Sequence, residues 1–224
     1  MWKLAGEAPD FSLVSFANEN WMTAFVLLVL LFLTILMVVY RHKFLLVLKC
    51  LYSKRAFSQL SKEGKIFSEG SFLFSVPVIV LSLALGLSQL MATFVPDFQF
   101  NLPFIQLCGI IAAAIVAFYV LRVILNLLLF RIFEHDEERY DFHLIGLSFL
   151  LNSSIVLWVS TILVKCTNFP FLFLVTALII SALFILKIYK DLFFIAKQVN
   201  LFQFFMYFCT LEILPCLVVL KLLF

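Results

Sequence analysis

Charge is what this chain has least of. Only 13% of its residues are Asp, Glu, Lys or Arg, while 65% are hydrophobic and the mean hydropathy is +1.16. A soluble domain of 224 residues lacks the polar surface to cover so much apolar material. Too few residues remain between the apolar blocks for a separate soluble domain. Catalytic signatures are missing as well: there is no P-loop, no HExxH, no GxSxG and no haem-attachment cysteine pair. Ser153 and Ser154 have no His or Lys at matching depth, which argues against an intramembrane serine protease. The five cysteines (Cys50, Cys108, Cys166, Cys209 and Cys216) are odd in number, have no metal or redox spacing, and read as small apolar residues. The three histidines (His42, His135 and His143) gather at one membrane edge, so a bis-His haem spanning the bundle is not expected. No cofactor and no metal is expected, and nucleic acid is not indicated, because the basic residues follow a membrane pattern without aromatic interleaving.

What is present comes in blocks of about 20 apolar residues, the length that crosses roughly 30 Å of hydrocarbon. Six blocks, at about 21–40, 72–95, 103–130, 144–164, 171–189 and 204–222, read as transmembrane helices. Pro96, Pro103 and Pro170 sit at their boundaries, where a missing N–H costs little. The first block follows an acidic tail and ends in Tyr40-Arg41-His42-Lys43, so it is expected to stay as a helix and not to be cleaved. The chain is thus an all-α, polytopic membrane helical bundle forming a single integral membrane domain.

Basic residues orient it. Twelve Lys and Arg fall in segments 41–70, 131–143 and 187–203, against Lys3, Lys165 and Lys221 on the other side. By the positive-inside rule the twelve face the cytoplasm and both termini face outward. Within the first basic segment, Phe44, Leu48, Leu51 and Tyr52 recur at helical spacing, followed by Phe57 and Leu60. This fits an interfacial helix at 44–62 in the cytoplasmic headgroup layer, or an ordinary positive-inside loop with a short helix extension. Arg41, Lys43, Lys49, Lys54 and Arg55 would then meet anionic lipid, at about 1 kcal/mol each. Small-residue stripes (Ser82 and Gly86; Gly109, Ala113 and Ala117; Ala177 and Ser181) signal close helix packing, within one bundle or between copies.

Polar residues inside the blocks reach one depth. Arg122 lies eight residues from the inner end of the third block, Glu212 eight into the sixth and Asn152 eight into the fourth. Each is thus about 12 Å deep at 1.5 Å per residue. Tyr119, Arg122 and Asn126 share one side of the third helix, as Ser148 and Asn152 do on the fourth. An unpartnered carboxylate at mid-membrane costs about 2.5–3.5 kcal/mol. Pro215 cannot donate to the Leu211 carbonyl, leaving a free acceptor beside Glu212. An Arg122–Glu212 pair with Asn152 bonded to it is therefore expected at the heart of the bundle. It acts either as a proton- or ion-responsive centre or as a static pair that fixes helix register. The acidic run Glu134-His135-Asp136-Glu137-Glu138-Arg139 reads as a solvated loop.

The run Phe205-Met206-Tyr207-Phe208-Cys209-Thr210-Leu211-Glu212-Ile213-Leu214-Pro215, followed by Lys221, resembles the C-terminal signature of an uncharacterised multi-pass inner-membrane family of Bacteroidota, domain-of-unknown-function family 4271. The six-span layout and the basic first cytoplasmic segment are similar too. The resemblance implies a bacterial inner-membrane location and brings no activity or cofactor. Two functions remain in view. The first is a non-enzymatic envelope assembly, accessory or scaffold subunit, with a membrane-protein partner or a second copy. The second is a small proton- or ion-coupled transporter or channel using the Arg122–Glu212–Asn152 layer. A lipid-modifying enzyme would need the acidic loop for its chemistry.

Overall fold

The computed structural model describes residues 20–63, 70–94, 104–132, 136–167, 169 and 171–195. The sixth expected span, with Glu212 and Pro215, lies outside these residues. The described chain is helical throughout: α1 (Asn20–Val39), α2 (Arg41–Cys50), α3 (Lys54–Glu63), α4 (Gly70–Phe94), α5 (Phe104–Ile132), α6 (Asp136–Thr167) and α7 (Leu172–Ile195). Five of these, α1, α4, α5, α6 and α7, are long and apolar enough to cross a membrane, with mean hydropathies from 2.0 to 3.0 over their windows. They coincide with the first five expected spans.

Helices α4 and α6 form the centre. In their apolar windows 44% and 50% of residues are buried, against 6% in α5, 17% in α1 and 22% in α7. The central pair packs closely because of Gly86: a Cβ there would collide with the Leu157 side chain. Ser82, on the same stripe, is fully buried. Without a hydrophobic force between helices in lipid, a side chain seated on a glycine in this way supplies van der Waals packing that holds the bundle. The other two stripes do not close on anything within the described residues. Gly109 has open space where a Cβ would stand, and Ala113, Ala117, Ala177 and Ser181 are exposed.

Contacts fix the helix directions. Lys165, at the end of α6, donates to Thr23 Oγ1 near the start of α1 at 3.4 Å. At the other end, Ser148 near the start of α6 meets α2, which follows α1. One end of the bundle thus holds α2, α3 and the basic residues around them.

The basic segment matches neither of its two readings, an interfacial helix at 44–62 or a loop with a short helix extension. It forms two helices with a break at Leu51–Ser53. The α1-to-α2 passage keeps its helical bonds, Tyr40 N to Leu36 O at 3.2 Å and Phe44 N to Tyr40 O at 2.9 Å, and bends at Tyr40 (φ −114°, ψ 28°). After α2, Tyr52 N and Ser53 N both return to the Lys49 carbonyl, which closes the helix. Ser53 Oγ then accepts from Ala56 N at 3.5 Å and starts α3 as its N-cap. The apolar side of the hairpin also faces protein: Phe44, Val47, Leu51, Ala56 and Leu60 are buried in the bundle. Tyr52 is 58% exposed, as a residue at the headgroup boundary would be.

One further expectation changes, and one feature is new. The acidic run read as a loop belongs largely to α6, which begins at Asp136, and the interval between α5 and α6 is only 133–135. Helix α4 also carries a proline in its interior, Pro77, which removes the ladder bond to the Leu73 carbonyl. Membrane helices tolerate this where neighbouring groups satisfy the freed carbonyl.

Candidate functional site

The last four carbonyls of an α-helix have no partner within the helix. In α2 these belong to Val47, Leu48, Lys49 and Cys50, and all four are met. Ser148 Oγ donates to the Val47 carbonyl at 2.6 Å. Asn152 Nδ2 donates to the Leu48 carbonyl at 3.2 Å and to the Ser148 carbonyl at 2.8 Å. Lys49 O takes the two backbone donors of the turn, and Lys190 Nζ of α7 donates to Cys50 O. Two transmembrane helices therefore cap one short helix. An ammonium at a helix C-terminus also meets the negative end of the macrodipole, for about 0.3–1 kcal/mol or more where partly buried.

Aromatic rings surround the two lysines of α7. Lys190 Nζ stands 5.9 Å from the Phe57 ring centre of α3. Lys187, only 1% exposed, holds its Nζ 5.7 Å from the Phe149 ring and 5.6 Å from the Phe184 ring. Cation–π contacts of this kind are worth about 2 kcal/mol when desolvated. Asp141 stands at the foot of α6. Burial raises its carboxyl pKa above the usual value, and a hydrogen bond from Ser61 of α3 pulls it back in part. Its Oδ1 is buried with no hydrogen-bond partner among the described residues. Burial also pushes the Cys50 thiol up to about 11, Lys190 lowering it and Asp141 raising it by smaller amounts. Cys50 is thus a protonated, packed residue, as a small apolar reading requires.

Among the described members of the expected polar layer, Asn152 lies apart from Tyr119 and Arg122. Tyr119 and Arg122 line a cleft between α5 and α6 with Val123, His143, Gly146 and Leu150. Helix α5 rests firmly on α4 and only lightly on α6, which leaves this cleft open. Asn152 lies on another side of α6, and both of its amide hydrogens are engaged at α2 and within α6. The physical reason is local: unsatisfied α2 carbonyls at the same depth draw the amide. The Asn126 side chain, Glu212 and Pro215 lie outside the described side chains. Of the basic residues assigned to lipid, Arg41, Lys49, Lys54 and Arg55 are exposed, while Lys43 is half-buried in a crevice with Ser71 and Ser75. The ring contacts of Lys187 and Lys190 and the Ser61–Asp141 hydrogen bond were not expected. The one signal in the sequence was the position of both lysines at the inner end of an apolar block.

Five apolar helices of spanning length, a buried centre of α4 and α6, and exposed apolar flanks define a polytopic α-helical membrane protein. Residues 22–223 match the domain of unknown function DUF4271, and the chain belongs to that family. No curated protein and no solved structure matches the chain.

Proposed function

We propose that this protein is a non-enzymatic assembly, accessory or scaffold subunit of a bacterial inner membrane, with six spans and both termini outward. The observation that carries this reading is the capping of α2. Ser148 and Asn152 lie within the apolar stretch of α6 and Lys190 ends that of α7, and each is spent on holding a neighbouring helix. A carrier needs such groups available to its cargo. The exposed basic face of α2 and α3 (Arg41, Lys49, Lys54 and Arg55) lies against anionic headgroups of the cytoplasmic leaflet, which anchors the rigid hairpin at the surface. The test is co-purification of the full chain in mild detergent after cross-linking in membranes. A stoichiometric membrane-protein partner, lost on replacing exposed residues of the hairpin or of α5, supports the subunit reading. Recovery of the chain alone at every cross-linker concentration overturns it.

A second reading is a proton- or ion-coupled transporter, supported by the cleft that Arg122 lines with Tyr119 and His143. There Glu212 would pair with Arg122. Asn152 is left out of that centre because α2 holds it. A pH-dependent flux in liposomes, abolished by Glu212→Gln without loss of thermal stability, would favour this reading over the first.

A further inference from the structure

We draw no further inference here: the strongest candidate, the exposed small-residue face of α5 at Gly109, Ala113 and Ala117, is an apolar helix face for which nothing among the described residues shows what covers it.

Discussion

Ser148 Oγ donates to the carbonyl of Val47 at 2.6 Å, joining residues 101 positions apart. The bond ties a transmembrane helix to the last turn of a short helix at the basic end. With Asn152 and Lys190 it explains why polar side chains stand in otherwise apolar spans.

Removing that bond leaves the Val47 carbonyl buried and unmet. Ser148→Ala should cost about 1–3 kcal/mol, and Asn152→Leu a similar amount at Leu48. Ser154→Ala is the control, because Ser154 Oγ bonds only to Leu151 within its own helix, at 2.9 Å. Denaturant or thermal midpoints in detergent should fall for the first two and stay near wild type for the control.

Gly86 sets the distance between α4 and α6. Gly86→Ala places a methyl group on Leu157 and should destabilise the bundle by about 1–3 kcal/mol. Leu157→Ala in the same chain should return part of that loss, although Leu157→Ala alone is destabilising. A double-mutant cycle on melting temperature measures the coupling.

Asp141 predicts a pH dependence with a definite sign. Its folded pKa is raised by burial, so the folded protein holds the proton more tightly than the unfolded chain does. Its contribution is full below the ordinary carboxylate value of about 4 and is lost as pH rises through the folded value. Stability of the wild type measured relative to Asp141→Asn should therefore decline with rising pH from about pH 4 upward and then level off. A difference that does not vary with pH would show that the carboxyl is not buried in this way. Ser61→Ala should strengthen the decline, since the hydroxyl bond opposes the burial effect.

The Arg122–Glu212 pair is tested by charge reversal. Glu212→Gln should fold almost normally, and Arg122→Ala should lower stability by leaving the carboxylate unpaired, a penalty of about 3–5 kcal/mol for a buried partner. Arg122→Glu combined with Glu212→Arg should recover much of that loss. A doubly reversed chain as damaged as the worse single variant would remove direct pairing.

Much of the architecture was legible in local pattern. Apolar runs placed five of the described helices, although α6 starts eight residues before the expected span and α7 ends six residues after it. The Ser82–Gly86 stripe likewise identified the face on which α4 meets α6. The hairpin was legible only in part. Its periodicity was visible, but the break at Leu51–Ser53 comes from Ser53 starting a second helix, and no apolar spacing reveals that. Asn152 was the instructive difference. Equal depth along separate helices suggested one polar layer, yet depth fixes only one coordinate. Rotation about each helix axis and the presence of α2 beside α6 decide which groups meet.

The amino-acid pattern by itself determined that the chain is a membrane protein, which of its described helices are long and apolar enough to cross a bilayer, and which end is basic. Those are consequences of transfer free energy, which is summed residue by residue along a local run. Only the tertiary structure decided that Ser148, Asn152 and Lys190 cap α2, that Lys187 rests between two rings and that Lys43 stands beside the start of α4. A hydrogen bond requires two groups to come within about 3 Å at the right angle, a condition between distant segments that spacing along a single helix does not contain.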